Sequence, residues 1–181
     1  MSATHMARDA AWTLPGALGR DTTLALLRER YGPANVEVVE LDGAEGETQR
    51  GIELFGTDPA RRLQLFMRDP TTLDGVAMAR VMGTHSRWRL DRGVHLGMTL
   101  RELVRLNGRP ITFNGMEWDY GGLVADWHQG TLANAEGAAV FRSVALAAVE
   151  GAPPRSYPLG DGRFRSDDRA FPRQADLLQV T

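Results

Sequence analysis

The sequence predicts an α+β protein: a tandem duplication of a short helix followed by antiparallel strands, with the two halves packed as one layered helix-on-sheet unit. Three observations predict it. A helical segment that begins at Thr-Leu and ends at Gly occurs twice. Runs of alternating apolar and polar residues, bounded by turn residues, follow each copy. An apolar content of 43% with 24% charge in 181 residues supplies core for one good-sized domain or two small halves without disulfides or metal. The expected organisation is a disordered leader over 1–11, a first half over 12–90 and a second half over 91–181.

Each element has a local reason. In the first copy, Asp21 or Thr22 is placed to cap a helix in which Leu24, Leu27 and Tyr31 share a face, and Gly32-Pro33 ends it. Asn35 to Leu41 then reads as a strand, and 44–47 as a polar loop. Arg62 to Arg68 alternates, with Leu63, Leu65 and Met67 on one side, and Gly75 to Met82 and Arg87 to Leu90 read as further strands. The second copy aligns with the first when Gly108 is set on Gly32, which matches Thr23 with Thr99, Leu24 with Leu100 and Leu27 with Leu103. Thr99 and Glu102 form a capping box, Leu100, Leu103 and Val104 share a face, and Asn107-Gly108 with Pro110 stops the helix. Ile111 to Asn114 and Met116 to Trp127 read as strands joined by a hairpin turn at Asn114-Gly115. Ala138 to Val149 fits either a helix or a strand and is read as a strand. From Gly151 the chain turns Pro-, Gly-, Asp- and Arg-rich, and Leu177 to Val180 closes it as an edge strand.

Composition excludes several function classes. A net charge of −2 argues against a general nucleic-acid binder and gives no attraction to anionic membranes. There is no cysteine, so no thiol nucleophile, thiolate metal site or disulfide. Every basic residue is arginine and none is lysine. No segment reaches the roughly 18 apolar residues of a membrane-spanning helix. Met1 to Met6 reads as a leader with a second start at Met6.

The pattern of Gly97, Thr99-Leu100, Leu103, Gly108 and Pro110 resembles the helical start of the SmpA–OmlA (BamE) outer-membrane assembly lipoproteins, and the tandem repeats of β-lactamase inhibitory protein. Gly93 to Leu100, Leu106 to Pro110 and Trp118-Asp119-Tyr120-Gly121-Gly122 are similar to a group of uncharacterised bacterial secreted proteins and lipoproteins. The resemblance covers about Trp88 to Leu132, with a trace over 160–168, and departs from the lipoproteins in having no cysteine for lipid attachment. It implies a periplasmic or secreted protein whose signal sequence has been removed, with a binding or scaffolding role; fold analogy alone does not assign function.

The candidate binding surface is Trp118, Asp119, Tyr120, Asp126, Trp127 and His128. On a regular strand Trp118, Tyr120 and Asp126 face one way, and Asp119 and Trp127 the other. Aromatic rings beside acids suit a sugar or a partner loop, while the same rings serve equally as core anchors. His85, His95 and His128 lack metal-ligand spacing, and Asp161, Asp167 and Asp168 read as turn acids paired with neighbouring arginines rather than as a calcium loop. No Gly-x-Ser-x-Gly elbow or phosphate loop is present. The expectation is a non-catalytic binding protein of the bacterial envelope. It would recognise a protein partner or envelope component in an inhibitor, immunity or assembly role, with no cofactor and no metal. The alternatives are a carbohydrate or small-ligand binder using Trp118, Tyr120 and Trp127, and a hydrolase using Asp119, Asp126 and His128.

Overall fold

The computed structural model describes residues 12–43, 46–83 and 85–181. The leader expected over 1–11, and Ala44 and Glu45 of the expected polar loop, lie outside the described residues. The chain forms two compact units, Met1–Gly93 and Val94–Thr181. The α+β helix-on-sheet expectation is corrected: the described residues carry eleven strands in four sheets and only three short helices, so the chain is mostly sheet. The helices span only eight, eight and four residues, and most core positions lie on strands or in turns. The strands after the two capped helices also differ in number and order, so the duplication does not extend to the sheets.

In the first unit, β1 (Thr13–Leu14) leads to α1 (Leu24–Tyr31) and then to four strands, β2 (Val36–Asp42), β3 (Thr48–Leu54), β4 (Leu63–Asp69) and β5 (Asp74–Arg80). α1 forms because Leu, Ala and Arg favour helix and because Thr23, rather than Asp21 or Thr22, caps it: the Leu26 N–H donates to Thr23 Oγ1 at 3.2 Å. Gly32, at φ 84°, ends it, and Pro33 prevents its resuming. The four strands pair in sequence order, all antiparallel, and β6 (Arg89–Leu90) returns to pair in parallel with β1. Leu27 packs with Val36, Ile52, Leu54, Leu63, Leu65 and Met67 on one sheet face, and Trp88 joins this core with its Nε1–H donating to the Arg61 carbonyl at 2.7 Å.

The strand β3 is absent from the sequence reading, because Gln49, Arg50 and Glu53 hide its apolar alternation. Register puts Glu37, Glu53, Gln64 and Arg80 in one row across the other face. Glu53 accepts from Arg62 Nε at 2.7 Å and from Gln64 Nε2 at 3.1 Å, and Arg80 Nε donates to Gln64 Oε1 at 3.0 Å. A buried acid is tolerated there because each partner is supplied within the sheet. Gly51 is required at the centre of β3, where an added Cβ would lie 2.7 Å from the Leu65 carbonyl oxygen.

In the second unit, α2 (Leu100–Asn107) carries the predicted capping box: Glu102 N–H donates to Thr99 Oγ1 at 3.2 Å and Thr99 N–H to Glu102 Oε2 at 2.9 Å. β7 (Thr112–Asn114) lies between β8 (Val124–Asp126) and β10 (Arg163–Arg165), while β9 (Leu146–Ala148) pairs with β11 (Leu178–Val180) behind α3 (Gln174–Leu177). Leu100, Leu103, Ile111, Phe113, Leu132 and Leu178 are all fully buried. Two strand expectations are corrected here. Only Val124–Asp126 of the predicted strand Met116 to Trp127 is a strand, and Asn114-Gly115 is not a two-residue turn. Residues 115–123 form a folded loop because Gly122, at φ 73°, sits against the Leu146 backbone where any Cβ would collide. Within Ala138 to Val149 only Leu146–Ala148 is a strand. The Asn134 side chain accepts from Arg142 N–H at 2.7 Å and donates to the Arg142 carbonyl at 3.0 Å, replacing a strand partner there.

Candidate functional site

The six residues singled out from sequence divide into three settings. Trp118, Asp119 and Tyr120 occupy the tip of the 115–123 loop. Asp126 and His128 follow at the end of β8. Trp127, at 7% exposure, is a core side chain between them.

The tip is braced from several sides. The Trp118 Nε1–H donates to the Gly115 carbonyl at 2.8 Å, Asn114 Nδ2 donates to the Tyr120 carbonyl at 3.0 Å, and the Gly121 N–H closes a turn onto Trp118 O at 2.8 Å. These bonds leave the Trp118 ring half-buried and Tyr120 55% exposed, with ring centroids 5.6 Å apart at 71°. Edge-to-face packing of this kind fixes both rings against each other. Glu117, which the sequence reading did not select, and Asp119 are exposed on either side of Trp118.

The second setting is polar. Register aligns Arg165 of β10, Thr112 of β7 and Asp126 of β8 in one row, so the three side chains leave the same sheet face. His128 reaches back over that row, with Nε2 at 2.8 Å from Thr112 Oγ1 and Nδ1 at 3.5 Å from Asp126 Oδ2. Asp126 Oδ1 accepts the His128 backbone N–H at 2.6 Å. Asp167 holds the Arg165 guanidinium through two bonds, at 2.8 and 3.0 Å. That hydrogen bonding, with the charge of the same guanidinium, keeps the Asp167 carboxyl below the usual range. A groove of about 450 Å³ runs along this strand, lined by Arg163, Phe164, Arg165, Asp167 and Asp168.

The turn carrying His128 is anchored from α2. Asn107, 1% exposed, donates from Nδ2 to the carbonyls of Trp127 at 2.9 Å and Arg109 at 3.0 Å, and its Oδ1 accepts from Leu132 N–H at 3.1 Å. Gly130 packs directly on that amide, with no room for a side chain. The anchoring holds His128 and Gln129 at φ 50° and 58°, a left-handed conformation costly for residues with a Cβ. Thr112 was missed because its neighbour in space comes through strand register; the only sequence signal was the two-residue spacing of Asp126 and His128.

Among the described residues no three His, Asp or Glu side chains gather as a metal site, and no helix is long and apolar enough to cross a membrane. The fold and site together define a β-rich chain of two units, the second bearing a braced aromatic–acidic loop and a polar Thr–His–Asp cluster. Comparison with known proteins finds no family model, curated protein or solved structure that matches it.

Proposed function

We propose that this is a binding protein of the bacterial envelope that recognises a protein partner through the tip of the 115–123 loop. One observation carries the reading: Tyr120 stands 55% exposed on a loop already fixed by side-chain and backbone hydrogen bonds. An exposed tyrosine on a rigid loop contributes contact area while losing little conformational entropy on binding, which is why such residues dominate interface energetics. Glu117 and Asp119 beside it supply polar contacts at the rim. The resemblance of residues 88–132 to secreted proteins and lipoproteins supports the envelope location. A carbohydrate ligand is the second reading, favoured by the two near-perpendicular rings flanked by carboxylates.

Affinity capture from envelope and secreted fractions, followed by titration calorimetry with the purified partner, tests the proposal. Tyr120→Ala is expected to weaken a captured protein by about 2 kcal/mol, near the threshold of an interface hot spot, with thermal stability unchanged. A partner that binds Tyr120→Ala as tightly as the parent chain removes the loop from the interface. Saturable binding of oligosaccharides in place of any protein would favour the second reading.

A further inference from the structure

The polar cluster on the other side of Trp127 has the parts of a nucleophilic site. A hydroxyl, an imidazole and a carboxylate stand in that order, with 2.8 Å from Thr112 Oγ1 to His128 Nε2 and 3.5 Å from His128 Nδ1 to Asp126 Oδ2. The carboxylate beside Nδ1 favours the tautomer with its proton there, which leaves Nε2 free to accept from the threonine hydroxyl. This is the arrangement in which a weak nucleophile is activated by an adjacent base that a third group orients. Side-chain exposures of 34% for His128 and 57% for Asp126 leave the pair reachable. Arg165 adjoins Thr112 on the same face, with its guanidinium paired to Asp167. The groove along β10 is lined by Arg165, the register neighbour of Thr112.

The backbone adds a second, independent observation. His128 and Gln129 are consecutive residues in left-handed conformations. A glycine at 128 would relieve that strain, and the fold instead spends the buried amide of Asn107 on holding the turn in place. Strain maintained by a dedicated anchor at the residue that would act as base is a pattern of functional sites.

We propose that Thr112, His128 and Asp126 form an acyl-transfer site that hydrolyses carboxylic esters, independently of the binding loop. Thr112 Oγ1 adds to the ester carbonyl carbon as its proton passes to His128 Nε2. The carbonyl electrons return, the bond to the alcohol oxygen breaks, and His128 gives the proton to the departing alcohol. Water then attacks the threonyl ester and gives a proton to His128. As the bond to Oγ1 breaks, that proton returns to Thr112 and the free acid leaves. Ester and water become acid and alcohol, and the protein is regenerated. Asp126 holds the ring and balances the transient imidazolium charge.

The test uses the full chain with p-nitrophenyl acetate and butyrate. Saturable turnover is expected. Thr112→Val, which keeps the shape and removes the hydroxyl, should lose at least about 100-fold. Thr112→Ser should retain activity within roughly tenfold, while His128→Gln should fall with the valine variant. Arg101→Ala, in an exposed ion pair outside both sites, should leave turnover unchanged. Acid-quenched intact mass and peptide mapping should find an acetyl group on Thr112 in the parent chain, a readout that needs no variant to fold. A parent chain no faster than Thr112→Val, or one acylated elsewhere than Thr112, overturns the proposal.

Discussion

Asn107→Ala is the substitution that most directly tests how the second unit is held together. The side chain is 1% exposed and makes three hydrogen bonds, two donated to the carbonyls of Trp127 and Arg109 and one accepted from the Leu132 N–H. Alanine leaves all three backbone groups without that partner. A buried group stripped of its partner costs ~1–3 kcal/mol, less where water reaches it. Arg109 lies near the surface and recovers solvent readily, and the Trp127 carbonyl keeps the Gly130 N–H at 3.0 Å, so the Leu132 N–H beneath the turn bears most of the loss. The sum comes to about 2 kcal/mol, which for a unit of this size lowers Tm by on the order of 10 °C. Urea denaturation followed by tryptophan fluorescence measures it, since buried Trp127 belongs to the released turn. Asn107→Asp, which keeps the acceptor and loses both donors, should cost at least as much because it also buries a charge. A loss below about 1 kcal/mol for Asn107→Ala would show that the turn is held by its own backbone and that the amide is incidental.

Other outcomes follow from the same geometry. Trp127→Ala should cost about 3–5 kcal/mol by cavity formation, read by the same denaturation, whereas Trp118→Ala, on a half-buried ring, should cost less. Gly122→Ala should cost roughly 3 kcal/mol or more, because the added Cβ meets the Leu146 backbone at a positive φ; a soluble variant with parental Tm would contradict the loop geometry. Glu102, Asp167 and Asp176 are held below the usual carboxylate range by Thr99, Arg165 and Arg101 respectively. The unfolded chain therefore binds more protons in that interval, so their contribution is complete above the ordinary carboxylate range and is lost as pH falls through the lowered folded values. Tm measured against pH should show Glu102→Gln below the parent at neutral pH, with the two converging in acid; a gap that widens in acid would contradict the capping box. Arg101→Ala should leave Tm essentially unchanged, because its pair with Asp176 is solvated on both sides.

What the sequence discloses and what it hides follows from the range of the interactions. The caps of α1 and α2 are local, so Thr99, Glu102, Gly32 and Gly108 announce themselves within a few residues of each other. The apolar alternation of β4 is equally direct. β3 is hidden because Glu53 is buried by Arg62 and Gln64, partners that arrive from the next strand. The loop at 115–123 was mistaken for a strand because aromatic and β-branched residues surround its glycines, and the constraint on Gly122 comes from Leu146, distant in sequence. Trp118 and Trp127 carry the same composition signal and end in opposite surroundings. The Asp126–His128 spacing hinted at a shared site, yet the hydroxyl that completes it is visible only once β7 and β8 are in register.

The order in which the chain leaves the ribosome bears on how each unit closes. Every strand of the first unit finds its partner by Leu90, where β6 meets β1. The second unit depends on β11: the Gly97 N–H donates to the Val180 carbonyl, the Val180 N–H to the Met98 carbonyl and the Thr181 N–H to the Ala145 carbonyl. The first two of these bonds lace the segment ahead of α2 to a residue more than eighty positions later. The first unit has all its pairings available while the second is still being synthesised, and the second stays open until Val180 has emerged. A nascent chain whose residues through Leu90 have cleared the ribosome while Leu178 is still inside would therefore present a closed first unit joined to an open second one, with Leu146 and its neighbours on β9 waiting for the strand that covers them.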